Sequence, residues 1–320
     1  MGVRVLILGG AGFIGSHLAE AYAALGWAVD IVDNLASGRR DNLAGISGMV
    51  RLIYKDAATS GWYVPNKRYD VIVQAAGLAA TRLFTSRPVE AFWASVWPLE
   101  AALRYKRYRH RAVRVIYLSS SEIYGDPDCD IQHESYVGRV NCRGPRSGYD
   151  EGKRAGEALV ESYQREYGVG CTVLRLFNTF GPRMASDGPV VPTMIRDALT
   201  QRLITVNEPG TQTRTLVYVI DTVRAILAAA DLAEDPPYSI NIGGTETFTV
   251  QEIAELVREV MGDPGIRIQR GPAVPEEPLR RRPDIRRAQS VLHWQPQVSV
   301  REGIVRTAQW ISQQLQEGRL

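Results

Sequence analysis

Covalent and metal-based anchors are scarce in this sequence. It has only three cysteines, Cys129, Cys142 and Cys171, an odd number with no C-x-x-C pair. A disulfide framework is therefore not expected, and a reducing, cytoplasmic setting fits better. The four histidines (His17, His110, His133 and His293) are scattered, none at metal-ligand spacing from another histidine or a cysteine, so no metal site is expected. Long apolar runs are missing too. Val5 to Leu8 stops at glycines, too short for a signal peptide, and nothing approaches a membrane span. Neither sign of charge dominates: 38 Lys and Arg against 35 Asp and Glu leave a net +3, too little to imply a polyanionic partner. There is no internal repeat and no low-complexity segment. What remains is a chain of 320 residues, 45% hydrophobic and 23% charged, a globular composition with room for two domains or one large one.

The start of the chain carries a phosphate-binding pattern. Val3 to Leu8 reads as a buried strand. Gly9, Gly10, Ala11, Gly12, Phe13, Ile14 and Gly15 follow, then a helical pattern through Leu18, Tyr22 and Leu25. Gly9 permits a tight turn, Gly12 lets backbone approach a pyrophosphate, and Gly15 lets helix pack on strand. The next strand, Ala28 to Val32, ends at Asp33, 18 residues beyond Gly15, where a ribose-binding carboxylate is expected. A carboxylate there repels a 2′-phosphate and favours NAD over NADP, although Arg39 and Arg40 nearby weaken that preference.

Apolar strands recur at Val50–Tyr54, Tyr69–Gln74, Val113–Leu118 and Cys171–Leu176, with helical patterns between several of them. This alternation predicts an α/β fold, a doubly wound parallel Rossmann sheet. Beyond Phe177 the pattern loosens, and capping boxes at Thr249/Glu252 and Ser299/Glu302 mark helix starts. We therefore expect a dinucleotide-binding domain over residues 1–176 and a smaller mixed substrate domain over 177–320, with some elements interleaved.

Two features follow the fifth strand. Ser119, Ser120 and Ser121 stand at its end, where ligands bind in open parallel sheets. Turn chemistry alone also explains such a run. Tyr149 and Lys153 lie four apart on a predicted helix, hence on one face. The lysine charge favours the phenolate, so the tyrosine is expected to exchange a proton near neutral pH. Each signal alone is weak; the glycine fingerprint and the serines give the pair its meaning.

Taken together, SSEIYGD (120–126), GPRSGYDEGK (144–153), FNTFGPRM (177–184), QTR (212–214) and RRPDI (281–285) make the chain resemble the extended short-chain dehydrogenase/reductase superfamily, in its nucleotide-sugar branch. Within that branch the stretches are most similar to those of UDP-glucuronate decarboxylases. The resemblance implies a tightly bound, recycled NAD, a UDP-sugar substrate and a homodimer, with neither nucleic acid nor membrane as partner. It implies catalytic roles for Ser120, Ser121, Glu122, Tyr149, Lys153 and Arg281, and substrate contacts from Asn178, Arg214 and Arg281. The candidate cofactor contacts are Gly9, Gly12, Phe13, Ile14, Gly15, Asp33, Asn34, Ser37, Gly38, Asp56, Ala75, Ala76, Tyr149 and Lys153. The sequence departs from the decarboxylase pattern at Ala75–Ala80, Phe84, Ser95, Pro189 and Asn207–Pro209.

Other readings stay open from the residues. A 4-epimerase, 4,6-dehydratase or 4-oxidase uses the same machinery, and Glu122 suits a dehydratase too. A redox-silent binding protein is a different class, and an intact Ser120, Tyr149 and Lys153 argue against it. The cluster Arg104, Lys106, Arg107, Arg109, Arg111 and Arg114 reads as a solvated helix end rather than a nucleic-acid patch. Trp93 and Trp97, four apart, read equally as an interface or a core stripe.

Overall fold

Short apolar runs buried on both sides set the central layer. In β1 (Arg4–Leu8) Val5 and Ile7 face one layer of core while Leu6 and Leu8 face the other. This is the pattern of a parallel strand covered on both faces. A computed structural model describes residues 2–274 and 278–319. After β1 come α1 (Phe13–Ala24), β2 (Ala28–Asp33), β3 (Val50–Tyr54), β4 (Val71–Gln74), α2 (Thr81–Ser86), α3 (Pro88–Tyr108), β5 (Arg114–Ser120), α4 (Ser147–Tyr167) and β6 (Thr172–Leu176). The rest of the chain runs β7 (Thr179–Phe180), α5 (Val190–Gln201), β8 (Leu203–Asn207), β9 (Thr213–Thr215), β10 (Val217–Tyr218), α6 (Val219–Ala230), β11 (Ile240–Ile242), β12 (Thr247–Thr249), α7 (Val250–Met261), β13 (Arg267–Gly271), β14 (Arg280–Arg281), α8 (Arg286–Leu292) and α9 (Val300–Gln316).

The large sheet is all parallel in the order β3-β2-β1-β4-β5-β6-β11. The doubly wound α/β architecture expected from the sequence is therefore the one adopted. The order of strand addition reverses between β1 and β4, and a crevice opens there at the C-terminal strand ends, the usual ligand position in such sheets. Helices α1, α6 and α8 pack on one face; α3 and α4 pack together on the other. Strand β11, from beyond residue 176, completes the sheet beside β6. Its three residues are too short to give a periodic signal.

A third core gathers α5, α7, α9 and β8 around Ile195, Ile253 and Ile304. Here Thr249 and Glu252 form the full reciprocal capping box at the start of α7, and Ser299 accepts from the Glu302 amide at the start of α9. Small sheets surround this core: β8 with β13, β7 with β10, and β12-β9-β14. In the last of these the register sets Arg281 of β14 beside Arg214 of β9.

The basic cluster differs in part from the solvated helix end expected. Lys106 is buried against Asp235, which also takes Arg114. Arg104 pairs with Glu100 and covers the Tyr63 ring, Arg107 stacks over Tyr167, and Arg111 donates to the Tyr167 and Gly168 carbonyls. Lys106 and Arg114 are thus engaged by the fold, whereas Arg109 and Arg111 are exposed as a solvated helix end would have them. Trp93 stacks on Trp97 at 4.9 Å and is 39% exposed, more surface than core.

Candidate active site

One cleft of about 630 Å³ runs along the strand ends, bordered by the β1–α1 turn, the ends of β2, β4 and β5, the start of α4, the segment after β6, and Arg214 and Arg281. At its dinucleotide end the backbone dictates the shape. Gly9 sits at φ +80, and a Cβ there would lie 2.6 Å from the Ala76 Cα. A Cβ on Gly15 would lie 2.2 Å from the Gly9 carbonyl oxygen. Helix α1 begins at Gly12 with no side-chain cap and no acid in its first turn, so its amides are left for an anion. Asp33, at the tip of β2, accepts from the Ala11 and Leu35 amides at 2.9 and 2.8 Å. Burial pushes its carboxyl up while those amides pull it down. Arg39 donates to the Arg319 carbonyl at the surface.

Candidate residues Gly9, Gly12, Phe13, Ile14, Gly15, Asp33, Asn34, Ser37, Asp56, Ala75 and Ala76 all line this cleft. Gly38 lies just behind it, where a Cβ would press on Ala11 and the Asp33 carboxylate. Its part is to let the loop approach rather than to face the ligand.

At the middle of the cleft, Ser119 and Ser120 are the last residues of β5, and Ser121 to Tyr124 form one tight 3-10 turn. Ser120 caps that turn, its hydroxyl accepting from the Glu122 amide at 3.2 Å. Ser119 is directed to Glu157 (2.5 Å), whereas the Ser120 hydroxyl meets the Tyr149 phenol. Helix α4 can approach this closely because Gly148 and Gly152 pack against Pro88 and Phe92 of α3. Tyr149 is buried, its ring stacked on Phe84 at 5.1 Å and 12°. Lys153 lies 5.7 Å from that ring and donates to the Leu118 carbonyl at 2.7 Å. Burial pushes the Tyr149 phenol well above its ordinary range and lowers the Lys153 ammonium to about 7. Desolvation is the largest cause of the Tyr149 shift, and the Ser120 hydrogen bond and the Arg146 charge pull the other way.

Beyond Tyr149 the site is charged. One Glu122 oxygen takes Arg146 at 2.6 Å and Arg281 at 3.1 Å. Burial opposes ionisation, but the two guanidiniums win and hold the carboxyl at about 2. Arg281 is 1% exposed and also donates to the Gly125 carbonyl at 2.5 Å, while its Nε has no partner among the described residues. Asn178 faces the cleft with its side-chain oxygen buried and unpartnered among the described residues, and Arg214 donates to the Pro278 carbonyl at 2.9 Å. Arg146 and Phe84 belong to this group, although the sequence reading gave neither a role. Arg146 stands three residues before Tyr149 in the GPRSGYDEGK stretch, and that placement was the available signal.

A family model for the NAD dependent epimerase/dehydratase family matches residues 5–243. The chain belongs to that family. Among relatives of the family, UDP-glucuronic acid decarboxylase 6 of Arabidopsis thaliana is 39% identical over 306 residues, 94% of this chain and 87% of the relative. UDP-glucuronic acid decarboxylase 1 of Danio rerio is 37% identical over 317 residues, 98% of this chain and 73% of the relative. The fold is similar to that of UDP-glucose 4-epimerase from Thermotoga maritima with UDP-glucose (TM-score 0.87, 25% identity, 98% of this chain and 100% of that one). It is also similar to that of the Thermus thermophilus UDP-glucose 4-epimerase complex with NAD (TM-score 0.83, 27% identity, 97% and 99%). As a member of this epimerase/dehydratase family, the chain is an NAD-dependent enzyme that modifies nucleotide sugars. Its dinucleotide end fits that cofactor: the glycine cradle has no space for side chains, the α1 amides are uncapped, and a carboxylate waits at the ribose position. Among the described residues no helix is long and apolar enough to cross a membrane.

Proposed function

We propose that this enzyme converts UDP-glucuronate to UDP-xylose by NAD-dependent decarboxylation through a 4-keto intermediate. The observation that carries the proposal is the pair of guanidiniums, Arg146 and Arg281, converging on Glu122 beside Tyr149 in one cleft. When bound, NAD would accept the hydride from C4 and return it. Tyr149, as the phenolate that the Lys153 ammonium would stabilise, takes the C4 hydroxyl proton and becomes the neutral phenol, with Ser120 orienting the alcohol. The product is a β-keto acid, and loss of CO₂ leaves an enolate that needs cationic or hydrogen-bonding support. Arg281, whose Nε has no partner among the described residues, supplies it, and Arg146 keeps Glu122 ionised and in place beside Ser121. Asn178 and Arg214 hold the UDP diphosphate. Because hydride leaves and returns within one turnover, NAD stays bound throughout. The exposed Trp93 on α3 marks the face for a second copy in a homodimer.

Purified protein incubated with UDP-glucuronate should give a product lighter by CO₂, seen by mass spectrometry. A stable 4-keto or epimerised product of unchanged carbon count would reject the proposal. Arg281→Ala should slow decarboxylation more than the first oxidation, so that NADH absorbance accumulates. Full activity in that variant would remove Arg281 from the mechanism. A 4-epimerase is the second reading, favoured by the likeness in fold to UDP-glucose 4-epimerases, and the same product analysis separates the two.

A further inference from the structure

Helix α4 meets the end of β5 through three residues spaced four apart. Tyr149, Lys153 and Glu157 lie on one face of the helix. The Tyr149 phenol meets the Ser120 hydroxyl, the Lys153 ammonium donates to the Leu118 carbonyl at 2.7 Å, and Glu157 accepts from the Ser119 hydroxyl at 2.5 Å. Each of the last three residues of the strand is thus held by one turn of the helix. The first two contacts belong to the proton-transfer pair. The third stands behind it, since Glu157 does not border the cleft. Glu157 is also fixed from its far side. Arg175 of β6 donates to both carboxylate oxygens, at 2.7 to 3.2 Å. With its remaining nitrogen it donates to the Tyr124 phenol and the Glu134 carbonyl, both at 2.8 Å.

The carboxylate therefore holds its charge at a fixed place, one helical turn from Lys153, in mostly buried surroundings where screening is weak. Burial disfavours the Lys153 ammonium and Glu157 favours it, with the balance at about 7. The other titratable groups around Lys153 are Tyr149 on its own helix and Tyr117 of β5, whose ring lies 5.0 Å from Nζ. Arg175 stands behind Glu157. The segment after β4 approaches Lys153 at Gly77, and α3 packs on this part of α4 with Phe92 and Ser95; none of these carries a charge. We propose that Glu157 is a positioning residue for the Tyr149–Lys153 pair, fastening α4 to the end of β5 and setting a fixed negative charge behind the ammonium that stabilises the phenolate. The inference rests on the reading that this pair serves NAD-dependent oxidation in the cleft, and it is independent of which sugar is oxidised.

The chain has four lysines, Lys55, Lys67, Lys106 and Lys153, so holoenzyme isotope-labelled at lysine Cε gives few enough NMR signals to titrate one by one. Lys153→Arg identifies the signal of interest by its loss. Removing a negative charge makes neighbouring protons easier to lose, so in Glu157→Gln the Lys153 midpoint should fall by about one pH unit. Ser119→Ala breaks the docking bond without changing any charge and should leave the midpoint where it is. Arg175→Gln leaves the carboxylate without its counter-charge, and the midpoint should rise by roughly half a unit. A purely structural role would move no midpoint, or would lower it in all three variants alike; either result overturns the proposal. Should Glu157→Gln fail to fold, Arg175→Gln decides the matter: a rise supports the charge, and a fall or no change overturns it. With UDP-glucuronate, kcat of Glu157→Gln should drop about tenfold while KM changes little. Both limbs of its pH profile should move to lower pH, because Tyr149 and Lys153 lose the same negative neighbour. Midpoints as expected in a protein that reduces no NAD with any nucleotide sugar reject the redox reading on which the role rests. An unmoved midpoint in an active enzyme rejects the role of Glu157 alone.

Discussion

The two ends of the cleft are built by different means, and on the proposed reading one would take the dinucleotide and the other the sugar. At the dinucleotide end the work is done by backbone: a glycine turn shaped by contacts of 2.2 to 2.6 Å to any added Cβ, uncapped helix amides, and an Asp33 whose oxygens are both bonded by amides. At the sugar end it is done by long charged side chains from separate segments, with Glu122 and Arg281 159 residues apart in the chain. The first is a rigid mould with little tolerance for volume. The second is a balance of charges in which two guanidiniums keep Glu122 ionised against its burial. Substitutions at one end should therefore act through sterics, and at the other through electrostatics.

The largest effect should come from breaking the mould. Gly15→Ala forces a Cβ into the Gly9 carbonyl, so we expect loss of NAD binding and a destabilisation of roughly 3 kcal/mol in urea unfolding. Normal NAD content in this variant would show the turn to be compliant. Next is Tyr149→Phe, which removes one oxygen from a site already packed by Phe84. Turnover should fall by about a hundred- to ten-thousandfold while melting temperature and NAD content hold. Smaller again is Glu122→Gln, which leaves Arg146 and the buried Arg281 facing a neutral amide. A loss of roughly 3 kcal/mol is expected at pH 7. Because the Glu122 carboxyl is held at about 2, below its unfolded value near 4.5, its contribution is present above that unfolded value and fades as pH falls toward 2. The variant should thus match wild type in strong acid and fall behind above pH 5. Arg281→Met should cost less stability than Glu122→Gln, since Arg146 still pairs with the glutamate at 2.6 Å.

The same contrast explains what was legible in the sequence. The mould is local, written between Gly9 and Asp33, and the spacing alone gives strand, turn, helix and acid. Six of the seven strands of the large sheet were equally plain from apolar runs; Ile240–Ile242 was not, being short and distant. The sugar end has no local grammar. Nothing in the spacing of Glu122, Arg146 and Arg281 says that β14 pairs with β9, or that α4 starts over Phe84. Their grouping was approachable only because whole stretches resemble a family. Even then Arg146 lay unmarked inside a quoted motif, since a role that depends on contact to one distant carboxylate leaves no periodic trace. Burial is illegible for a related reason: the i, i+4 spacing places Lys153 beside Tyr149 but says nothing about how completely both groups are desolvated.

The smallest effect offers the sharpest comparison, between two buried aspartates. Asp33 has amide donors on both oxygens, whereas Asp150, beside Tyr149, has one oxygen with no partner among the described residues and Arg146 at 3.9 Å from the other. Burial, and then the negative charge of Glu122, raise Asp150 to about 7 from an ordinary 3.8, against the pull of Arg146 and Arg281. Between those values the folded protein keeps a proton that the unfolded chain has lost, so wild-type stability should fall as pH rises from about 4 to 7. Glu122 is ionised in both states above pH 5 and adds no slope there, so above pH 5 the slope belongs to Asp150. Asp150→Asn is neutral throughout and removes the slope. Its stability relative to wild type should therefore improve steadily between pH 5 and pH 8 in urea titrations. Turnover should change by no more than about twofold, because the carboxyl lies behind Arg146 and does not border the cleft. A difference between variant and wild type that stays flat with pH would show that Asp150 is ionised in the folded protein. The sugar end would then balance its charges without a stored proton, and would resemble the amide-satisfied end more closely than the geometry suggests.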